Sequence, residues 1–154
     1  MKNIYRRLIQ IVKDFLNQGA TPHDLALAIA LGVIVGMFPV QGTTALICTL
    51  IAVLFRLNLI IIQLANYLSF PLMMLMLVPF YTIGHSLFNK GSFEWTFNEM
   101  IRLFQTNFWA GVSELSWSIG YAVLVWLIFA PVGILILYII SIKVIRRLKV
   151  ETQS

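Results

Sequence analysis

The residues best suited to bind a ligand stand at the centre of a long uncharged segment, in the stretch Val40-Gln-Gly-Thr-Thr44. Pro39 lacks the N–H group that a continuous helix needs, so the pattern predicts that one helix ends here and another begins near Thr43. The first amide groups of a helix have no partner within it and lie at the positive end of its dipole. Such a helix start is typical of an anion site for a phosphate or a carboxylate. The predicted ligand-binding residues are Pro39, Gln41, Gly42, Thr43, Thr44 and, from the next uncharged segment, Asn66.

Each of these polar residues also has a structural interpretation, which the sequence leaves open. Gln41 and the two threonines can cap helix ends and be satisfied by neighbouring helices. Asn66 lies three residues after Gln63 and hence on the same helical face, where side-chain amides inside a membrane form hydrogen bonds between helices. Gly32 and Gly36 form a small-xxx-small pair that predicts close helix packing. Its expected partner is the helix that follows the polar stretch, and the alternative partner is a second copy of the chain.

The residues needed for catalysis or for metal binding are not found in a usable arrangement. The uncharged segments contain no carboxylate, no histidine pair and no serine–histidine spacing that suggests a catalytic pair. Cys48 is the single cysteine, which excludes an internal disulfide and a cysteine metal cluster. His23 and His85 are interpreted as isolated interfacial residues. We therefore expect neither enzyme activity nor a metal or cofactor.

The composition predicts that lipid is the solvent for most of the chain. Of the 154 residues, 60% are hydrophobic and 11% are charged, against about 25% charged in a typical soluble domain. A chain of this size has too much surface to bury such an excess of apolar residues. The formal net charge is +5, and positive charge at both ends favours cytoplasmic termini over nucleic-acid binding. The basic residues at the two ends are Lys2, Arg6, Arg7, Lys13, Lys143, Arg146, Arg147 and Lys149.

Three uncharged segments are long enough to enter a membrane: Leu25–Phe55, Leu57–Asn89 and Leu115–Ile142. The first would make about 46 Å of helix, which is longer than one crossing of about 30 Å, whereas each half is too short to cross. This length predicts a re-entrant hairpin over residues 21–56, which enters the bilayer, turns at the polar stretch and returns to the side it came from.

Charge at the ends of the chain decides how the remaining segments are placed. If both termini are cytoplasmic, the number of full crossings is even. Residues 57–89 are then one broken crossing, interrupted at Pro71 and Pro79, and residues 115–142 are the second. In the alternative assignment the first segment crosses and the second is the hairpin, which leaves Arg56 on the outer side.

The flanking segments complete an all-α integral membrane fold. We expect residues 1–19 to form a basic amphipathic helix on the membrane surface. Residues 90–114 are predicted to be an outer amphipathic segment, and residues 143–154 a basic cytoplasmic tail. Thr21, Pro22 and Asp24 form the N-cap, first-turn proline and capping acid of a helix that starts the hairpin. The fold class is thus a re-entrant helical hairpin plus two transmembrane helices with amphipathic interfacial helices.

Several short motifs within residues 21–88 occur in a characteristic order. They are Ala30-Leu-Gly32, Phe38-Pro-Val-Gln-Gly42 and Leu54-Phe-Arg-Leu-Asn58, followed by Pro71, Pro79 and Gly84. With these motifs in this order, the chain resembles a family of small bacterial membrane proteins catalogued as domain of unknown function 2062. Many similar proteins have Asn-Pro where this chain has Phe70-Pro71. Some similar domains are joined to glycosyltransferase or lipid-acyltransferase domains, so the resemblance implies a place in the bacterial inner membrane, near envelope synthesis.

Two functional hypotheses follow from these patterns. In the first, the protein is a small transporter or lipid-handling protein whose hairpin contacts an anionic lipid or lipid phosphate. In the second, it is a non-transporting membrane anchor or scaffold partner of an envelope-synthesis enzyme such as a glycosyltransferase or acyltransferase. Both hypotheses require the lipid bilayer as a partner, and neither requires nucleic acid.

Overall fold

The computed structural model describes residue 10 and residues 21–40, 42–88 and 108–153. Within these ranges the chain is helical without strands, as the sequence predicts. The predicted surface helix at 1–19, apart from the helical residue 10, and the part of the outer segment before residue 108 lie outside the described residues. The helices are α1 (Pro22–Gly36), α2 (Thr44–Phe55), α3 (Leu59–Leu68), α4 (Phe70–Leu87) and α5 (Phe108–Gln153).

The start and the end of α1 are set by local chemistry. The Asp24 backbone amide donates to Thr21 Oγ1 at 3.1 Å, and the Thr21 hydroxyl donates to Asp24 Oδ2 at 2.7 Å. With Pro22 in the first turn, the predicted capping of this helix is confirmed. At the other end, Pro39 has no amide to donate and its ring would collide with the Val35 carbonyl, so the helix stops at Gly36.

A three-residue turn reverses the chain between α2 and α3. Arg56 adopts a left-handed conformation with φ 53°, and the Leu57 amide donates back to the Ala52 carbonyl at 2.9 Å. This is the bond that closes a Schellman-type helix end. Asn58 then caps α3, because its Oδ1 accepts from the amides of Ile60 and Ile61 at 3.0 and 3.1 Å.

The predicted break at Pro71 separates α3 from α4 at Ser69. Pro71 cannot donate to the Tyr67 carbonyl, so the helical ladder is interrupted there. Ser69 bridges the interruption, since its hydroxyl donates to the Asn66 carbonyl at 2.6 Å and its own carbonyl accepts from the Met73 amide at 2.8 Å. Pro79, by contrast, lies inside α4 and does not end it.

The helices α1 and α2 form a hairpin because they run in opposite directions. Leu25 of α1, Ala52 of α2 and Leu57 of the following turn belong to one buried cluster, and α1 runs parallel to α3, which the turn at Arg56 sets antiparallel to α2. The tip, residues 37–40 and 42–43, therefore lies at the far end of the hairpin from the start of α1 and the end of α2. The same buried cluster contains Ile61 and Ile62 of α3 and Ile142 and Ile145 of α5.

The two glycines of α1 pack against α3, and the predicted packing against the other arm of the hairpin is wrong. A Cβ atom on Gly32 would collide with the Ile62 carbonyl oxygen and would lie 2.7 Å from Ala65 Cβ. A Cβ atom on Gly36 would collide with Ser69 Oγ and lie 2.8 Å from the Asn66 carbonyl oxygen. The reason is that α3 runs parallel to α1 and is in direct contact with it at these two positions.

The helix α5 is longer than the sequence predicts. It has 46 residues, or about 69 Å at 1.5 Å per residue. It absorbs the last residues of the predicted outer segment and most of the predicted tail, because a change from apolar to charged residues does not end a helix. By length and composition, Phe70–Leu87 and Gly111–Leu148 can each cross a membrane, whereas α1, α2 and α3 are shorter apolar helices.

The glycine contacts predict a difference between two otherwise identical substitutions. Gly36→Ala places a methyl group against Ser69 and Asn66, and we expect it to destabilise the protein by about 1–3 kcal/mol. Gly120→Ala meets no atom within 4 Å and should be neutral or stabilising by up to about 1 kcal/mol. Unfolding of the purified variants in detergent by added SDS measures both effects, and equal stability of the two would contradict the packing described.

Candidate ligand cavity at the hairpin tip

The tip of the hairpin is held by its own polar groups. Gly42 has φ +86°, a conformation that favours glycine. The Thr43 hydroxyl donates to the Val40 carbonyl oxygen at 2.9 Å, a hydrogen bond within the tip itself. Its side chain makes no hydrogen bond to the amides that begin α2. The Thr43 side chain therefore does not cap the backbone amides at the start of α2.

The tip is also anchored by Trp126 of α5, which sequence analysis did not single out. Its indole Nε1–H donates to the Ile34 carbonyl oxygen at 3.1 Å. The Phe38 ring meets the indole edge to face, with centroids 4.9 Å apart. One side chain thus satisfies a carbonyl near the end of α1 and packs on the first residues of the tip.

A cavity of about 320 Å³ lies between the tip and the junction of α3 with α4. Of the predicted ligand-binding residues, Gly42, Thr44 and Asn66 line it, whereas Pro39 and Thr43 do not, and Gln41 lies outside the described residues. The sequence missed the other lining residues as ligand contacts, although Phe70 and Met73 follow Asn66 at i+4 and i+7. Those missed residues are Gly36, Ala45, Tyr67, Phe70 and Met73.

The buried wall of the cavity is built from a chain of amide hydrogen bonds. Asn66 is only 4% exposed, and its Nδ2 donates to Gln63 Oε1 at 3.3 Å. Gln63 Nε2 in turn donates to the Ala45 carbonyl and to Thr49 Oγ1, at 2.9 and 3.0 Å. The amides thus connect α3 to α2, as their spacing predicts, and Asn66 also faces the cavity.

The open side of the cavity is aromatic and its lining carries no charge at neutral pH among the described residues. Tyr67 is 68% and Phe70 is 51% exposed, so the cavity opens beside these two side chains. Any attraction for an anion must therefore come from neutral donors and from the dipole of α2, whose first residues Thr44 and Ala45 line the cavity.

Both histidines have partners on α5, and neither lines the tip cavity. His23 Nδ1 lies 2.7 Å from the Tyr138 hydroxyl. His85 is buried, and its Nε2 lies 3.0 Å from Ser118 Oγ. The interpretation of the two histidines as isolated residues is therefore wrong, because each has a partner that is distant in sequence. In the part of the chain that is described, no group of three or more metal-ligating side chains comes together.

The fold and the cavity define an all-helical protein with a helical hairpin and two helices long enough to cross a membrane. Its family is established by sequence comparison. The profile of a family described as an uncharacterised protein conserved in bacteria (DUF2062) matches residues 5–153, so the chain belongs to this bacterial family. The match includes α5, beyond the stretch on which the sequence resemblance rested. No curated protein and no solved structure matches the chain.

The amide chain predicts non-additive effects of mutation. Gln63→Leu removes the acceptor of Asn66 Nδ2, and a buried amide without a partner costs about 1–3 kcal/mol. Asn66→Leu in the same background removes the unpaired group, so the double variant should be more stable than the sum of the single effects predicts. A double-mutant cycle of unfolding in detergent measures the coupling, and strictly additive losses would argue against the hydrogen bond.

Proposed function

We propose that the chain is an integral membrane protein whose hairpin is re-entrant, with its tip inside the bilayer. Support comes first from the outer face of α2, where the large side chains are apolar and mostly exposed. Water-soluble proteins rarely expose contiguous apolar patches of this kind, and lipid removes the cost. The exposed residues of this face are Leu46, Leu50, Val53 and Leu54.

Contacts made by residues along α5 support the proposed depth of the tip. Tyr138 contacts His23 at the start of the hairpin, Trp126 contacts Phe38 at the tip, and Ser118 contacts His85 near the end of α4. At 1.5 Å per residue these levels are about 18 Å and 12 Å apart, which together equal the roughly 30 Å of hydrocarbon in a bilayer. A bilayer bounded by the first and last levels places the tip near its middle.

The described charges support the same orientation. Arg56 follows α2 next to Leu57, and Arg146 follows Ile145 on α5. Gly32 lies against Ile62 and His23 contacts Tyr138, so Arg56, before α3, and Arg146, beyond Tyr138 on α5, lie at the end of the molecule where α1 starts. The positive-inside rule assigns that end to the cytoplasm.

This topology is tested by cysteine labelling in a Cys48→Ala background. Arg56→Cys and Lys143→Cys should react with a membrane-impermeant maleimide only when the cytoplasmic side is accessible. Trp109→Cys, near the start of α5, should react from the opposite side. Reaction of positions 56 and 143 from opposite sides would rule out the re-entrant hairpin.

We further propose that the tip cavity binds the phosphate headgroup of an anionic lipid, which makes this a lipid-handling protein. The observation that carries the proposal is the start of α2, which no Thr43 side-chain bond caps and which lines the tip cavity. Unpaired amides at a helix start favour phosphate, and this preference is stronger where water is excluded. The opening beside Tyr67 and Phe70 faces the bilayer in this orientation, so the phosphate arrives on a lipid.

Headgroup binding is tested by replacing Thr44 with Asp or with Asn, two side chains of the same shape that differ in charge. Thr44→Asp places a negative charge at the amide end of α2, and we expect it to lower the affinity for dioleoyl phosphatidate by about tenfold, or 1.4 kcal/mol. Thr44→Asn has the same shape without the charge and should stay within about threefold of the unmodified protein. Native mass spectrometry of the purified chain with added phosphatidate measures both.

Two results would argue against headgroup binding. One is equal affinity of the Asp and Asn variants; the other is retention of uncharged diacylglycerol as strongly as phosphatidate. Movement of the bound lipid is a separate step, measured by the accessibility of a fluorescent phosphatidate in proteoliposomes. An unchanged flip rate with bound lipid would limit the role to presentation, and co-purification of an envelope-synthesis enzyme without lipid would favour the scaffold hypothesis.

A further inference from the structure

A second cavity, of about 340 Å³, lies where α1, α4 and α5 meet. No lining residue is charged, and the indole N–H of Trp126 already donates to the Ile34 carbonyl. An apolar cavity of this kind stays free of water and accepts hydrocarbon. The residues that line the cavity are apolar and include Ile34, Met37, Met76, Phe80, Trp126 and Gly133.

The apolar cavity adjoins the tip cavity. Gly36 lines the tip cavity, and the next residue, Met37, lines the apolar one. On α4, Met73 lines the tip cavity and Met76, one helical turn later, lines the apolar one. Methionine side chains are flexible and adapt to irregular spaces, and Met37 and Met76 line the apolar cavity on the side next to the tip cavity.

The size and the opening of the apolar cavity indicate what occupies it. Phe129 and Val132 line the cavity and are 55% and 58% exposed on α5, so it opens to the surroundings of the helix bundle. If a methylene group takes about the volume of a water molecule, roughly 30 Å³, the cavity holds on the order of ten of them.

We infer that the apolar cavity holds an acyl chain of the same lipid whose phosphate lies in the tip cavity. The inference rests on the proposed headgroup site and specifies its ligand as a lipid phosphate with at least one long chain. Headgroup and chain then bind on two sides of the α1 C-terminus, in a polar and an apolar compartment.

The test compares two lipid phosphates that share a headgroup, dioleoyl phosphatidate and the short-chain dihexanoyl phosphatidate. Val132→Phe narrows the cavity mouth, and Leu135→Phe is its control because Leu135 is similarly exposed, at 59%, on the same helix but does not line the cavity. We expect Val132→Phe to weaken dioleoyl phosphatidate about tenfold and dihexanoyl phosphatidate less than twofold, with Leu135→Phe changing neither.

Other outcomes separate this inference from the proposed function. If both phosphatidates bind equally well and Val132→Phe matches Leu135→Phe, the acyl-chain site is wrong while the headgroup site stands. If neither phosphatidate binds the unmodified protein, the proposed function fails and the acyl-chain site fails with it.

Trp126 gives a second measurement that does not depend on affinity. With Trp95, Trp109 and Trp117 replaced by Phe, a phosphatidate brominated along its chain should quench Trp126 fluorescence saturably, in parallel with phosphate binding. Val132→Phe should abolish the saturable part, and Leu135→Phe should keep it. Quenching that rises only with total brominated lipid, equally in both variants, would overturn the inference.

Discussion

The close contact between α1 and α3 at Gly32 and Gly36 is the constraint on which the rest of the structure depends. Because neither glycine has a side chain, the backbone of α1 comes against the carbonyls of Ile62 and Asn66. This contact places the end of α1 beside the junction of α3 and α4. The tip cavity exists because two interrupted helices, one ended before Pro39 and one interrupted before Pro71, meet there.

Near the interrupted helices, side-chain donors add to the backbone hydrogen bonds, since the carbonyls of Ile34 and Asn66 also accept from the amides of Met37 and Ser69 at 3.2 and 3.3 Å. The Thr43 hydroxyl bonds the Val40 carbonyl, the Ser69 hydroxyl bonds the Asn66 carbonyl, and the Trp126 indole bonds the Ile34 carbonyl. In a bilayer each unsatisfied group would cost several kcal/mol. Under the proposed topology, hydroxyl and indole donors next to the breaks would lower the cost of placing such a tip in lipid.

Features with local causes could be predicted from the sequence. The capping of α1 by Thr21, the break at Pro71 and the pairing of Asn66 with Gln63, which bonds across to α2, depend on residues a few positions apart or on one helical face. The partners that the sequence did not reveal, such as Ser118 for His85 and α3 for Gly36, depend on which helices pack together. The dipeptide Phe-Pro occurs twice, as Phe38-Pro39 and Phe70-Pro71, and the sequence did not reveal that its two copies have different structural positions. Both interrupt a helix, but the first lies in the tip after α1, whereas the second begins α4.

The absence of charge from the lining of the tip cavity, among the described residues, bears on how a lipid phosphate would be held. A lysine or arginine at this depth would cost about 2.5–3.5 kcal/mol on insertion scales, and it would bind phosphate strongly enough to slow its release. Backbone amides at the start of α2 offer a weaker attraction without that cost. A lipid-handling protein must release what it binds. Under the proposed function, a neutral polar compartment beside an apolar one would meet that requirement, because the headgroup would be held weakly and the chain would contribute affinity that is also available in the surrounding bilayer.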